Sequence, residues 1–408
     1  MTKPTSVVVT GLGLATAAGI GVAATWEGLC RGTSTALPDR HLRGLPVSFS
    51  CRVPDDGLSA AAGKGLGWRT DRFIQLALVA ALEAVDDAGL QPADWDAVRV
   101  GVVIGAGGGS LDTMPKVCEA IAESRYRAVS PTAVPRSQPN MAAGEVAISL
   151  GARGPTLSVS TACASGATAI GVSRMLLDTG ACDLVIAGGS DSACNPVGAV
   201  TFWRMGALST RAHDPAGASR PFDADRDGFV LGEGAGVLVL ERADHAQARR
   251  ARAYARLTGH ASTADAYHPT APHPRGEGAL RALRLALADA GLQAQDIDHV
   301  NAHGTSTPLN DEVEARVLRQ AFPASPPVTA TKSILGHTLG GAGAIEAVCC
   351  VLALERQTIH PTANLDRLGD GIDLDVVTGG PRAHSMAAVA SNSFGFGGQN
   401  TVLIFQQP

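Results

Sequence analysis

The stretch Asp87-Ala88-Gly89-Leu90 recurs as Asp289-Ala290-Gly291-Leu292, 202 residues further along the chain. At the same offset, four residues after the first copy match four after the second: Gln91, Asp94, Asp96 and Val98 with Gln293, Asp296, Asp298 and Val300. Each copy ends a stretch with apolar residues at helical spacing, Phe73 to Ala88 and Ala279 to Ala290. Matched flanks at one offset, about half the chain, favour an internal duplication over a coincidence between two Ala-rich helix ends.

A second parallel supports the duplication. The run 157–160 predicts a strand that leads into Thr161-Ala-Cys-Ala-Ser-Gly166 and a helix to about Asp178. In the second half, the run 328–330 leads into Lys332-Ser-Ile-Leu-Gly-His337 and a helix from about Gly343 to Glu355. Further strands are predicted at Ser6–Val9, Val100–Ile104, Asp183–Ile186, Val237–Leu240, His299–Ala302, Ala387–Ala390 and Thr401–Phe405. This alternation predicts an α/β fold in which two similar halves, 1–250 and 251–408, pack together with the active site at their junction.

Composition and charge exclude several functional classes. The 408 residues are 45% hydrophobic and 17% charged, which is typical of a globular protein and not of a disordered one. A net charge of −5 gives no electrostatic footprint for nucleic acid. The start MTKPTSVVVTG lacks the pattern of a signal peptide, the apolar runs are too short to span a membrane, and the eight cysteines form no CxxC pair. We therefore expect a cytoplasmic protein that binds neither nucleic acid nor membrane.

Glycine-rich and acidic stretches favour neither a nucleotide nor a metal. In the run 7–19, Thr16 occupies the place of the third glycine of a dinucleotide motif, and Gly232, Gly234 and Gly236 precede a predicted strand instead of opening a helix. The run 223–228 resembles the start of a calcium loop, but its glutamate falls at the eleventh position, Glu233, instead of the twelfth. The sequence predicts no metal site.

Cys163 differs from the other cysteines in its surroundings. It lies at a predicted strand-to-helix turn, between Ala162 and Ala164. Small neighbours allow a substrate to approach closely, and the free N–H groups of a helix start point at the sulfur. Such a place predicts a thiol pKa below its usual value of about 8.5 and a larger thiolate fraction. The alternative is a buried structural cysteine.

Three loops of the second half supply partners for such a thiol. Asn301-Ala-His-Gly-Thr-Ser-Thr-Pro308 puts His303 just after a strand, and Lys332-Ser-Ile-Leu-Gly-His337 ends in a second histidine. In Asn392-Ser-Phe-Gly-Phe-Gly-Gly398, the glycines free backbone N–H groups to face an oxyanion. One cysteine and two histidines beside strand ends indicate a site for thioester chemistry.

These four motifs, in this order, resemble those of the elongating β-ketoacyl-[acyl-carrier-protein] synthases, the KAS II-like condensing enzymes of the thiolase superfamily. The resemblance covers nearly the whole chain and includes Arg220-Pro-Phe-Asp-Ala-Asp-Arg-Asp-Gly228. It implies the thiolase fold, a duplicated five-layer α/β/α/β/α arrangement. It also implies an acyltransferase that joins a cysteine-bound acyl group to malonyl-carrier protein with loss of CO₂, extending the chain by two carbons.

The resemblance also implies roles for individual residues. Cys163 is the nucleophile, while His303 and His337 contact the malonyl thioester carbonyl. Lys332 and Glu346 either orient the histidines or form a structural ion pair. The N–H groups of Cys163 and Phe396 form the oxyanion hole, and Phe396 is also the gate between the acyl and malonyl steps. The implied substrate-binding residues are Thr305 and Thr307 on the phosphopantetheine arm, together with Gly108, Phe202, Gly397 and Gly398. No metal or cofactor is expected, since phosphopantetheine arrives on the carrier protein.

Three departures from the family pattern leave the pathway open, and one of them is a short segment from Val47 to Gly67. Gly108 stands where many members carry a bulky aliphatic residue that limits the acyl pocket, and Gln399 stands where threonine is common. These residues fit a type II polyketide ketosynthase as well as an enzyme of fatty-acid elongation.

The alternative functions are a thiolase-like enzyme acting on coenzyme A esters and a non-catalytic chain-length-factor-type subunit. The second of these shares the fold and lacks the nucleophile. The family resemblance further predicts an acyl carrier protein as partner. It also predicts a dimer, either of two identical chains or with a chain-length-factor paralogue.

Overall fold

A computed structural model of the chain describes residues 6–62 and 70–408. Its strands are β1 (Val7–Thr16), β2 (Gly19–Ile20), β3 (Leu37–Pro38), β4 (Phe49–Ser50), β5 (Val100–Gly105), β6 (Thr156–Val159), β7 (Leu184–Ser192), β8 (Glu233–Arg242), β9 (Ala255–Ala264), β10 (His299–Asn301), β11 (Val328–Thr329), β12 (Thr358–Ile359), β13 (Arg382–Ala383), β14 (Ala388–Gly395) and β15 (Gln399–Gln406). Its α-helices are α1 (Val22–Cys30), α2 (Asp55–Ala62), α3 (Arg72–Asp87), α4 (Thr113–Ala122), α5 (Ala133–Ser137), α6 (Asn140–Leu150), α7 (Ser165–Asp178), α8 (Pro196–Arg204), α9 (Ala243–Ala248), α10 (Glu277–Ala290), α11 (Pro308–Ala321), α12 (Lys332–Leu335) and α13 (Ala342–Arg356).

The strand order is the same in the two halves. In the first half the sheet runs β6-β5-β7-β8-β1, and in the second it runs β11-β10-β14-β15-β9. When the five strands of each half on this path are numbered in chain order, both halves have the order third, second, fourth, fifth, first. The two sheets meet where β1 pairs with β9, through Val8 with Arg256 and Val9 with Ala255.

The helices complete five layers. Helices α3 and α6 cover the outer face of the first sheet, and α10 covers the outer face of the second with α11 packed beside it in the same apolar cluster. Helices α7 and α13 pack against each other in the middle layer and contact strands of both halves. The apolar residues form one buried cluster in this middle layer and one beneath each outer helix layer. The predicted duplicated α/β/α/β/α arrangement is therefore confirmed.

Several strands are longer than predicted, and in three of them, β1, β7 and β8, glycines continue the strand under closely packed helices. Strand β1 extends beyond Val9 to Thr16, and β7 extends to Ser192. Strand β8 begins at Glu233, so Gly234 and Gly236 lie within it and not before it, contrary to the prediction. A Cβ atom on Gly236 would lie 2.5 Å from the backbone nitrogen of Ile345 on α13, so only glycine allows this approach.

Within the described ranges, none of the helices has both the length and the apolar character needed to cross a membrane.

Candidate active site

Cys163 lies in a tight turn between β6 and α7. The turn is a short 3₁₀ segment, Ala162–Ala164, in which Ala162 has a positive φ of 50°. The hydroxyl of Ser165 fixes this turn, since it accepts the Thr161 N–H at 2.9 Å and donates to the Ala162 carbonyl at 2.6 Å. The side chain of Cys163 lies at the start of α7 and is buried, so solvent has little access to it.

The predicted lowering of the Cys163 pKa is wrong for the free protein. Burial raises the pKa of this thiol to about 11, although the Lys332 ammonium and the N–H groups of Phe396 and Cys163 act in the opposite direction. Desolvation of the thiolate exceeds the stabilisation from the helix start, which the sequence cannot reveal. The N–H groups of Phe396 and Cys163 nevertheless lie close enough to the sulfur to lower its pKa, so both are near the atom that would attack a thioester carbonyl.

The loop between β14 and β15 brings Phe396 to Cys163. A Cβ atom on Gly395 would lie 2.4 Å from the Thr161 carbonyl oxygen, so glycine is required for this approach. Gly397 and Gly398 have φ angles of 82° and 70°, in the left-handed region that glycine adopts without strain. The N–H of Gly397 donates to the Pro269 carbonyl at 2.7 Å, which ties this loop to the segment after β9.

His303 is held by its own backbone and by a buried ion pair. The N–H groups of His303 and Gly304 each donate to the carboxylate of Glu314 at 2.8 Å. The ammonium of Lys332 donates to the His303 carbonyl at 2.7 Å and lies 3.3 Å from Nδ1 of the same ring. Glu346 accepts from Lys332 at 2.5 Å, and burial raises the pKa of Glu346 to about 7.

His337 faces His303 across the site. The two ring centroids are 5.5 Å apart and the ring planes are nearly perpendicular, at 82°. Nδ1 of His337 accepts the N–H of Leu339 at 3.2 Å, and the edge of the Phe229 ring packs against the imidazole at a centroid distance of 5.1 Å. The ring of His337 is therefore fixed in both position and orientation.

The hydrogen bonds assign the same tautomer to both histidines. Nδ1 of His303 faces the ammonium of Lys332, which can only donate, and Nδ1 of His337 accepts from Leu339. Burial holds the pKa values of both histidines well below their usual range, and the Lys332 charge acts in the same direction. Both rings are therefore neutral, and each carries its proton on Nε2.

A cavity of about 340 Å³ joins most of the predicted site residues. Those that line it are Cys163, Phe202, His303, Thr305, Thr307, His337, Phe396 and Gly398. Lys332 and Glu346 lie buried behind the histidines, and Gly397 and Gly108 do not line the cavity. Gly108 is exposed, and a Cβ atom there would meet no described atom within 4 Å. A second cavity, of about 390 Å³, is lined by charged residues such as Arg72 and Asp112 and by none of the predicted site residues.

Sequence reasoning missed two carboxylates on α11 that shape the histidine loop. Besides the contacts of Glu314, Asp311 accepts the N–H of Phe222 at 2.8 Å and that of Ser306 at 3.2 Å. Phe222 and Ser306 both have positive φ angles, 66° and 71°, so Asp311 holds two strained residues in place. The signal available was their spacing, since acids three residues apart just after Pro308 lie on one face of a helix.

The structure also places the two predicted threonines. Their hydroxyl oxygens are 2.9 Å apart, and Thr307 caps α11 by accepting the N–H of Asn310 at 3.3 Å. Across residues 6–62 and 70–408, His, Cys, Asp and Glu side chains do not cluster in threes in a way that could hold a metal ion.

Comparisons with known proteins place this site in a family. The family model "Beta-ketoacyl synthase, N-terminal domain" matches residues 5–246, and "Beta-ketoacyl synthase, C-terminal domain" matches residues 254–366. The chain is 41% identical over 407 residues to 3-oxoacyl-[acyl-carrier-protein] synthase 2 of Vibrio harveyi, with 98% of each chain covered.

Two solved structures are similar over the full length of both chains. The ishigamide ketosynthase/chain length factor superposes with a TM-score of 0.93 at 34% identity. A type II PKS acyl-carrier protein in complex with its ketosynthase bound to the hexaketide superposes with a TM-score of 0.92 at 31% identity.

Proposed function

The chain belongs to the β-ketoacyl synthase family and is a β-ketoacyl-[acyl-carrier-protein] synthase, and we propose that Cys163, His303 and His337 carry out its reaction. The reaction is a decarboxylative Claisen condensation of an acyl group, held on Cys163, with malonyl-carrier protein. The observation that carries the proposal is the meeting of the thiol and two neutral Nε2–H donors at one buried cavity.

Acyl transfer is the first step. The Cys163 sulfur attacks the carbonyl of the acyl thioester on the carrier protein, and the resulting oxyanion accepts the N–H groups of Phe396 and Cys163. When the tetrahedral intermediate collapses, the carrier thiol leaves with the proton that Cys163 gives up. The exchange therefore needs no net proton, although the buried thiol is protonated at rest.

Condensation is the second step. The Nε2–H groups of His303 and His337 donate to the malonyl thioester carbonyl, which stabilises the enolate as the C–C bond to the carboxylate breaks and CO₂ leaves. The enolate carbon then attacks the carbonyl of the acyl-cysteine. The Cys163 thiolate is expelled and takes up one proton, and the β-ketoacyl product stays on the carrier protein.

Lys332 and Glu346 support this second step from behind the histidines. The Lys332 ammonium donates a hydrogen bond to the carbonyl oxygen of His303, which fixes the position of that residue. The same ammonium faces Nδ1 of the His303 ring, so it favours the tautomer that carries the proton on Nε2. Glu346 compensates the ammonium charge in a buried site, where an unpaired charge would be costly. The pair is thus both an ion pair and the orienting group for His303.

The alternatives fit the site less well. A non-catalytic chain-length-factor-type subunit requires neither a thiol beside an oxyanion hole nor two histidines of matched tautomer. A thiolase acting on coenzyme A esters is distinguished by substrate. We expect acyl-carrier protein to acylate Cys163 far faster than the matching acyl-CoA does.

We also infer a dimer that works with an acyl carrier protein. Strand β6 ends the sheet, pairs on one side with β5 and exposes Leu157. Ile148 on α6 and Met175 on α7, the two helices that contact β6, also expose large apolar side chains. An open edge with exposed apolar groups favours pairing with another chain, either a second copy or a paralogue. Native mass spectrometry of the chain alone and with co-expressed paralogues distinguishes the two.

Intact-protein mass spectrometry with a panel of acyl-carrier proteins tests the proposed function. We expect a mass increase that peptide mapping assigns to Cys163 and that is absent in Cys163→Ala. The preferred acyl group then indicates whether the enzyme acts in fatty-acid or in polyketide biosynthesis. No adduct from any chain, even with the partner subunit present, would contradict the proposal.

A further inference from the structure

One buried carboxylate outside the cavity wall joins three segments of the active site. Asp191 lies near the end of β7 and is only 2% exposed. Its Oδ2 atom accepts three backbone N–H groups, from Gly107 at 2.9 Å, Gly108 at 3.2 Å and Gly340 at 3.1 Å. Its Oδ1 atom accepts the N–H of Ser192 at 3.2 Å.

The turn at Gly340 connects Asp191 to His337. Gly340 directly follows Leu339, whose N–H fixes Nδ1 of His337 and whose side chain lines the cavity. Leu339 has a φ of 47°, so this turn is strained and must be held by its surroundings. The bond from Gly340 to Asp191 is such a constraint.

The loop after β5 connects the same carboxylate to Cys163. Gly107 packs against the residue before the nucleophile, since a Cβ atom on it would lie 3.3 Å from the Ala162 carbonyl oxygen. The two glycine turns also touch each other, because a Cβ atom on Gly340 would lie 2.3 Å from the Gly107 nitrogen. Asp191 therefore lies where the supports of Cys163 and His337 meet.

The chemistry of this position requires a carboxylate. Four backbone donors converge on one side chain, and a carboxylate offers two oxygens with about four acceptor sites. Asparagine would present an NH₂ group to at least one of these donors, and the remaining oxygen would carry no charge. Burial of an acidic group is costly unless donors surround it, and here all four donors belong to backbone at or beside the active-site loops.

We propose that Asp191 is a positioning residue that fixes the Leu339–Gly340 turn, and with it His337, relative to Cys163. The inference rests on the proposed function of Cys163 and His337 and adds a residue to it. Displacement of a donor by about 1 Å lowers rates by up to about 10²-fold. The turn that carries Cys163 is also held by the Ser165 hydroxyl, which accepts the Thr161 N–H and donates to the Ala162 carbonyl. Malonyl-carrier protein decarboxylation, which uses His337, therefore depends on Asp191 more than acylation of Cys163 does.

The test compares Asp191→Asn with wild type and with Glu83→Gln. Glu83 is a matched control on α3, since its carboxylate also holds two backbone N–H groups, of Leu14 at 2.8 Å and Val22 at 2.7 Å, away from the cavity. For Asp191→Asn we expect kcat for CO₂ release from malonyl-carrier protein to fall about 10–100-fold with little change in KM. Acylation of Cys163 should change less than about fivefold, and Glu83→Gln should alter neither rate per folded molecule.

The outcomes separate this inference from the function on which it rests. Equal decarboxylation rates per folded molecule in Asp191→Asn and Glu83→Gln would overturn the role of Asp191 alone. A wild-type enzyme that neither acylates nor decarboxylates with its partner present would overturn the proposed function, and this inference with it. Should Asp191→Asn fail to fold, Asp191→Glu keeps the charge and displaces the Gly340 turn by one methylene. A wild-type kcat for CO₂ release in that variant would likewise overturn the proposal.

Discussion

The same carboxylate contact ties a helix to the first strand in each half of the molecule. In the first half, Asp87 at the end of α3 accepts the N–H of Leu12 on β1 at 2.9 Å. In the second half, Asp289 on α10 accepts the N–H of His260 on β9 at 2.8 Å. These are the first residues of the two Asp-Ala-Gly-Leu segments. The repeated aspartate therefore makes the same helix-to-strand contact in both halves.

A glycine makes the contact possible in both halves. A Cβ atom on Gly11 would lie 2.1 Å from the Ala84 carbonyl oxygen, and one on Gly259 would lie 2.4 Å from that of Ala286. The strand and helix backbones touch at equivalent places, and the register of each strand shifts beside this glycine. The two halves therefore share individual contacts as well as their strand order.

The loops after the third strand of each half differ completely. In the first half, β6 leads within four residues to Cys163 at the start of a helix. In the second, β11 leads to Lys332 on the short helix α12 and then to His337, before α13 begins. The halves thus share their framework and differ at this loop: under the proposed function the first half supplies the nucleophile, and the second supplies both histidines and the Phe396 N–H.

The largest expected effect separates acyl transfer from decarboxylation. In His337→Ala and in His303→Ala, we expect decarboxylation of malonyl-carrier protein to fall about 10²–10³-fold, because each variant loses one donor to the developing enolate. Acylation of Cys163 should stay within about tenfold of wild type, since its oxyanion hole consists of backbone N–H groups. Carbon dioxide release and intact-protein mass spectrometry measure the two steps separately. A parallel loss of acylation and decarboxylation would contradict this separation of the two steps.

A smaller effect should appear where the two halves influence each other through charge. The Lys332 ammonium lowers the pKa of Cys163, so its removal raises that pKa and leaves less thiolate at any pH below it. We expect the double variant Lys332→Met/Glu346→Gln to be alkylated by iodoacetamide several-fold more slowly at pH 8–9, with its rate-against-pH curve displaced to higher pH. The double change avoids leaving a buried unpaired Glu346.

Glu346→Gln alone serves as the control, because the His303 carbonyl and the amide oxygen of the new side chain still accept hydrogen bonds from the Lys332 ammonium. Its alkylation curve should lie at or below the pH of the wild-type curve. A double variant with the wild-type alkylation profile would contradict the electrostatic link between Lys332 and the thiol.

The duplication and the meeting of Cys163, His303 and His337 at one cavity could be predicted because each leaves a local trace in the sequence, whereas the order of layers followed from the family resemblance. The Asp-Ala-Gly-Leu repeat marks the duplication, and the residue pattern around Cys163, His303 and His337 marks strand ends with small neighbours. All three side chains line one cavity, as the prediction of a thioester site requires.

The missing parts depend on contacts distant in sequence. Burial of Cys163, which raises its pKa, results from packing against other segments and cannot be inferred from its neighbours in the chain. Asp191 reaches a glycine 149 residues away, and no local pattern indicates that pairing. The extent of β1 and β8 was missed for a similar reason, since glycine in a strand is favourable only where a helix comes close.

The smallest expected effect tests whether the two halves are equivalent as scaffolds. Asp87→Asn and Asp289→Asn should each lower the free energy of unfolding by about 0.5–1 kcal/mol, because each weakens a hydrogen bond from an exposed carboxylate to a strand N–H. The two losses should be similar and roughly additive, since the sites lie in different halves and share no hydrogen-bond partner. Denaturant unfolding of both single variants and the double variant measures them, with acylation of Cys163 as the control that should not change. A loss of stability in only one of the two single variants would mean that the aspartate no longer stabilises the other half.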